Sequence, residues 1–204
     1  MIHRKFVRAI KNYKMNFVVK ILILSDFVGF FAVNLSGPIF AIFISSKITG
    51  ASIETVGIAT TIYFVVKSIV EIPIGVLINK TKTERDDLYC AIAGLMLMSG
   101  MFFYYLFINE IWELYLSQAI LGFAGAMAYP AWYTIFTRHI DRNKEAVEWS
   151  FYDVSVGLGM SLSAVIGAFV AEKFGFDWLF FVSGLILLSS GLMLFAIRHK
   201  IYEK

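Results

Sequence analysis

Residues 21–44 read ILILSDFVGFFAVNLSGPIFAIFI, an apolar run interrupted by one ionisable side chain, Asp26. A bilayer core needs about 20 such residues in helical form, because a segment in lipid must satisfy its own backbone N–H and C=O groups. Five more runs of this kind follow: Val56–Ile78, Leu88–Ile108, Leu114–Phe136, Ser150–Ala171 and Trp178–Ile197. The sequence therefore predicts an all-α membrane protein, a six-transmembrane-helix bundle over 21–197 with spans at 21–44, 56–78, 88–108, 114–136, 150–171 and 178–197. A basic lead (1–20) precedes it and a short tail (198–204) follows. Composition points the same way, with 59% of the 204 residues hydrophobic and 16% charged.

The distribution of Lys and Arg predicts the orientation. Basic residues gather in the lead, in the segment after span 2 (Lys80, Lys82, Arg85), in the segment after span 4 (Arg138, Arg142, Lys144) and in the tail (Arg198, Lys200, Lys204). The alternate connections hold only Lys47 and Lys173. Both termini are accordingly expected on the cytoplasmic side of a cell membrane. The lead carries charge before any long apolar run, so it reads as a cytoplasmic or surface-lying segment rather than a cleaved signal. The basic residues do not form one aromatic-studded face, and no nucleic-acid partner is expected. The single cysteine, Cys90, excludes an intrachain disulfide.

Three ionisable residues fall within spans, where a lone charge costs about 2.5 to 3.5 kcal/mol at the bilayer centre. They are Asp26, Lys67 and Glu71. Lys67 lies about 16 Å from each end of span 2 at 1.5 Å per residue, near the midplane. With Thr60, Phe64 and Glu71 it makes a stripe at helical spacing that is expected to face the bundle interior. Asp26 and Glu71 lie at similar depths, so Lys67 is placed to bridge them. Two readings stay open: a solute- or proton-binding trio, or a static Lys67–Glu71 pair.

Gly37-Pro38 in span 1 and Pro130 in span 4 occupy corresponding places in spans that run in opposite directions. This weak repeat reads as two inverted-topology three-helix units, with proline-interrupted helices beside a cavity. The plainer alternative is that prolines are common in membrane helices. Gly159, Ser163 and Gly167 form a small-residue seam for close helix packing, with Gly122 and Ala126 a shorter one. Asp153 reads as an acid near the start of span 5, with Ser150 as its N-cap, and the stretch from Arg138 to Glu148 as a solvated turn. Catalytic motifs and clustered metal ligands are absent from the sequence. No enzyme activity, metal or cofactor is expected.

Gly75, Leu77 and Lys80 match the G-x-L-x-D-R-x-G-R-K pattern that follows the second helix in the major facilitator superfamily, with Asn79 in place of the acid and Lys82 in place of the second glycine. Gln118 stands where R-x-x-Q-G-x-G has its arginine, and Gly122 is kept. Gly159 and Gly167 match G-x-x-x-G-P-x-x-G-G, with Ser163, Ala164 and Ala168 replacing the rest. Nearly the whole chain thus resembles the six-helix amino-terminal half of a transporter of that superfamily. The resemblance implies secondary transport of a small solute by alternating access, through a cavity formed by helices 1, 2, 4 and 5. Its candidate contacts are Asp26, Asn34, Lys67, Glu71, Gln118, Tyr129 and Trp132, with hinge or gating positions at Gly37, Pro38, Pro130, Gly75, Asn79 and Lys80. It also implies a second half, supplied by a homodimer or a separate partner. The alternatives are a non-transporting assembly or regulatory module that packs through its small-residue seams, or a truncated half-transporter that needs a partner half. The replaced acid and arginine remove the usual residues for gating and proton coupling at those two places.

Overall fold

The computed structural model describes residues 13–80 and 83–201, and all the long elements among them are helices. Most of the basic lead, Lys82 and the end of the tail lie outside the described residues. Helix α1 (Phe17–Ser36) starts where the Asn16 side chain accepts the Val18 N–H at 2.9 Å. A 3-10 turn at Gly37–Ile39 separates it from α2 (Phe40–Lys47). Pro38 lacks the N–H of a regular helix, and its ring crowds the preceding turn. Helices α3 (Ile53–Lys80), α4 (Glu84–Tyr104) and α5 (Ile111–His139) follow, and α6 covers Glu145–Met193 with a break at Gly175.

At 1.5 Å per residue α6 would be about 70 Å long, more than twice a bilayer core. It does not run straight. Gly175 has φ +87°, outside the helical region and open to glycine. Neighbours of α1 show the reversal: Phe27 meets Gly159 and Leu35 meets Gly167, ascending together, whereas Ser25 meets Ser190 and Phe43 meets Phe180, one rising as the other falls. The first arm of α6 (145–174) is thus parallel to the α1–α2 unit and the second (176–193) antiparallel. Among the described residues five helical stretches are long and apolar enough to cross a membrane, and the last of them, Glu145–Ile197, is the one folded back at Gly175. The loop expected at 172–177 is reduced to this single non-helical glycine.

Helix α5 is antiparallel to α1, with Trp132 over the Leu22 carbonyl and Tyr129 against Phe30. The fourth segment therefore inverts the first. The two prolines are nevertheless not equivalent: Pro38 breaks its helix, whereas Pro130 lies inside a continuous α5. Pro73, not singled out from the sequence, lies inside an equally continuous α3.

Helix α1 packs on α6, α3 on α5, and α4 on both α5 and α6. Glycines make the closest approaches: a Cβ on Gly122 would lie 2.5 Å from the Tyr63 carbonyl, and one on Gly94 would lie 2.6 Å from that of Ala124. Two aromatic clusters fill the ends of the bundle. One joins Phe43, Tyr105 and Phe180; the other stacks Trp132 on Phe136 at 4.7 Å beside Trp149 and Tyr152. Helix α3 is the least covered element, burying only Thr55, Ala59 and Ile78.

The face where α1 begins carries a cluster of charged contacts, while Lys47 pairs with Asp177 at the opposite end. Arg138 reaches Asp87 at 3.2 Å and Glu84 at 3.6 Å, and His139 meets Glu84 at 3.0 Å. The stretch expected to be a solvated turn is therefore partly core: His139 and Glu148 are buried. Helix α6 begins at Glu145, which corrects the expected cap. Ser150 is an interior residue donating to the Ala146 carbonyl, and Asp153 lies beyond the first turn.

Ahead of α1, Tyr13 donates to the Glu148 carboxylate at 3.0 Å, while Lys144 binds the Lys14 carbonyl at 3.2 Å. Desolvation, the hydrogen bond to Glu148 and the charges of Glu148 and Asp141 push the Tyr13 hydroxyl up to about 12. A folded-state value above the ordinary one of about 10 means the contact contributes fully below that pH and is lost as pH rises through about 12. Tyrosinate absorbance should accordingly show one transition in the wild type, near pH 12, that is missing from Tyr13→Phe.

Candidate functional site

The 3-10 turn at Gly37–Ile39 and α3 flank a recess of about 210 Å3, closed behind by α4 and α5. Its walls include Gly37, Phe40, Tyr63, Tyr105, Gln118 and Tyr129, contributed by the α1–α2 unit, α3, the end of α4 and α5. Gln118 lies about 10 Å along α5 at 1.5 Å per residue, well inside the apolar segment. It is buried, and its Nε2 donates to the Tyr105 hydroxyl at 2.7 Å.

Beside the recess, Lys67 pairs with Glu71 at 3.2 Å, and its ammonium sits 5.1 Å from the centre of the Tyr129 ring. Gly122 and Gly125 make this possible. Their missing side chains let α3 lie on α5, and a Cβ at Gly125 would touch the Tyr129 ring, the Tyr63 hydroxyl and the Lys67 stem. The pair is half-buried rather than enclosed, with Lys67 23% and Glu71 33% exposed along their side chains. Within the expected stripe, Thr60 and Phe64 are exposed.

The structure does not form the proposed bridge from Lys67 to Asp26. Asp26 is buried against α6, where the Tyr152 hydroxyl faces its carboxylate, and its Oδ2 has no hydrogen-bond partner. Asn34 turns back along its own helix, donating to the Phe30 carbonyl at 3.0 Å. Trp132 is in the aromatic stack and does not line the recess. Gly75 has open space where a side chain would be, and Asn79 and Lys80 are exposed at the end of α3. Gly159, Ser163 and Gly167 are all buried, the two glycines against α1. The recess thus gathers Gln118 and Tyr129, with Lys67 and Glu71 adjoining.

Sequence reasoning missed Tyr63 and Tyr105, the remaining hydroxyl-bearing aromatic walls. Tyr63 is one turn before Lys67, and Tyr105 lies near the end of the third apolar run; neither position has a spacing signal of its own. A larger, open groove of about 420 Å3 runs along α1 from Lys20 to Phe27, against Phe151 and Ser155.

The chain is similar to three curated transport proteins. An uncharacterized transporter of Schizosaccharomyces pombe is 28% identical over 155 residues, covering 72% of this chain and 30% of that one. An uncharacterized transporter of Buchnera aphidicola is 26% identical over 195 residues, covering 91% and 46%. The Escherichia coli inner membrane transport protein YajR is 29% identical over 146 residues, covering 71% and 30%. The chain therefore spans less than half the length of each of these relatives. Among solved structures, the POT family transporter PepTSo superposes with a TM-score of 0.75 at 13% identity, over 94% of this chain and 39% of that chain, which shows the shared fold. The family model of the Major Facilitator Superfamily matches residues 22–203, and the chain belongs to that superfamily of membrane transporters.

Proposed function

We propose that this chain carries a small solute across a cell membrane by alternating access, with the recess between the α1 break and α3 as its half of the solute path. The supporting observation is a recess bearing a buried amide and tyrosine hydroxyls, with an ion pair beside it, in an apolar bundle of a transporter family. Glu71, paired yet 33% exposed, is the residue through which an ion or proton acts, and Lys67 its counter-charge. Asp26 on α1, buried against α6 with one carboxylate oxygen unbonded, is a second protonatable site held apart from that pair. The turn at Gly37-Pro38 is the flexible element, because a 3-10 segment there interrupts the helix that walls the recess. The face bearing Lys80, Arg138 and Lys144 is cytoplasmic, and so are both ends of the chain.

A second six-helix unit completes the path, and we assign that role to another copy of the chain. Helix α3 and the first arm of α6 are the elements left uncovered, exposing Ile69 and Ile72 on one and Val165 and Phe169 on the other. A two-fold axis along the membrane normal lets each copy lay its α3 on the partner's α6, and the contact closes on itself.

Uptake by the protein reconstituted in proteoliposomes is expected to fall at least tenfold in both Lys67→Met and Glu71→Gln, with the pH dependence flattened in Glu71→Gln. Unchanged uptake and pH dependence in both variants would remove the pair from the mechanism. Native mass spectrometry of the protein in nanodiscs is expected to give twice the 23.1 kDa chain mass. A persistent monomer would instead assign the second half to a different polypeptide or to chain beyond this sequence, as the shorter span relative to its relatives allows.

A further inference from the structure

We infer that the recess takes a small, uncharged solute, a flat apolar body bearing one hydrogen-bond donor, with Gln118 as its polar contact. The inference deepens the transporter reading for the fate of the solute, but the binding it describes stands on the recess alone.

No side chain lining the recess is charged. A carboxylate or ammonium group entering it would shed water without gaining a counter-charge, which is the costly arrangement inside a membrane. The nearby cation does not offer one. Lys67 is not among the walls: its ammonium is engaged by Glu71 and lies on the Tyr129 ring. Hydroxyls and one amide are the polar groups available.

Gln118 has more hydrogen-bonding capacity than its neighbours use. Its amide donates to Tyr105, while its carbonyl oxygen accepts no bond among the described residues. The residue as a whole is only 6% exposed, yet its unbonded carbonyl oxygen is not fully enclosed, so it stays reachable. An O–H or N–H of the solute meets that acceptor. Aromatic rings form about half of the lining, and Phe40, Tyr63, Tyr105 and Tyr129 offer faces and edges to a planar body. Size sets the upper limit. A cavity of about 150 Å3 holds benzene, so about 210 Å3 suits one ring with a polar substituent.

The test compares 4-fluorophenol with 4-fluorobenzoate, the same ring without and with a charge at neutral pH. Fluorine NMR reads binding to the protein in nanodiscs, with empty nanodiscs as the measure of lipid partition. The expected result is saturable binding of 4-fluorophenol above the blank, none of 4-fluorobenzoate, and about fivefold weaker phenol binding in Gln118→Ala, the loss of one hydrogen bond. Leu121→Phe, which fills the recess from another wall, should also abolish phenol binding. Thermal melts establish that each variant is folded. Equal binding of the benzoate, no saturable phenol binding, or phenol binding unchanged in folded Gln118→Ala or Leu121→Phe would overturn the inference. Binding without any uptake activity would overturn the transporter reading and leave this one standing; uptake without binding would do the reverse.

Discussion

Gly167→Ala is expected to destabilise the protein by about 3 kcal/mol, at the upper end of what overpacking a tight contact costs. A Cβ there would overlap the backbone carbonyl of Leu35. A backbone atom cannot swing aside as a long side chain does, so α1 and the first arm of α6 must separate along their length. That separation also loosens Phe27 from Gly159 and exposes Ser163 at the middle of the seam. Gly157→Ala is the matched control. It lies on the same arm with nothing within 4 Å of its missing side chain, and should change stability by about 0.5 kcal/mol or less. Reversible unfolding by SDS titration in mixed micelles measures both. Equal effects at the two positions would show that the seam does not hold these helices together.

Arg138→Met should be nearly as damaging, by about 2 kcal/mol, the scale of hydrogen bonds to charged groups. Its guanidinium reaches carboxylates on α4 that are almost wholly enclosed, Asp87 at 0% and Glu84 at 3% side-chain exposure. Without it both acids keep their burial and lose a counter-charge. Asp87→Asn in the Arg138→Met background removes one of those charges and should recover at least half of the loss. An additive double mutant would mean that Arg138 stabilises the helix end without acting through Asp87.

The all-helical membrane architecture was legible because a membrane span has a required length and lipid admits few alternatives. The ends of the helices were less so. The acidic, basic and glycine residues at 172–177 look like a loop, yet one positive-φ glycine suffices to reverse the chain. The same limitation affected Ser150, a credible cap by residue type that the structure places inside the helix.

Sequence gives depth along a helix through the rise per residue, but not the direction a side chain faces in the bundle. Asp26 and Glu71 share a depth and still lie apart: Asp26 turns to Tyr152 on α6, whereas Glu71 stays with Lys67 beside α5. Trp132 was expected as an aromatic wall of the cavity, and it stacks on Phe136 in the core instead. Conversely, the mixed charges around Arg138 and Glu148 resembled a solvated turn because burial of paired charges leaves no mark on composition. Tyr63 and Tyr105 became visible only when four helices were assembled around the recess.

Two-sided access to the recess is the central requirement of the account. In a Cys90→Ser background, Gly37→Cys places one thiol at the recess wall, where a Cβ meets only the Asn34 side chain at ordinary distances. A membrane-impermeant maleimide, applied separately to right-side-out and inside-out membrane vesicles, reads whether that thiol is reached from each face. The account expects labelling from both. Labelling of the folded protein from one face alone, or from neither, would contradict alternating access through this recess.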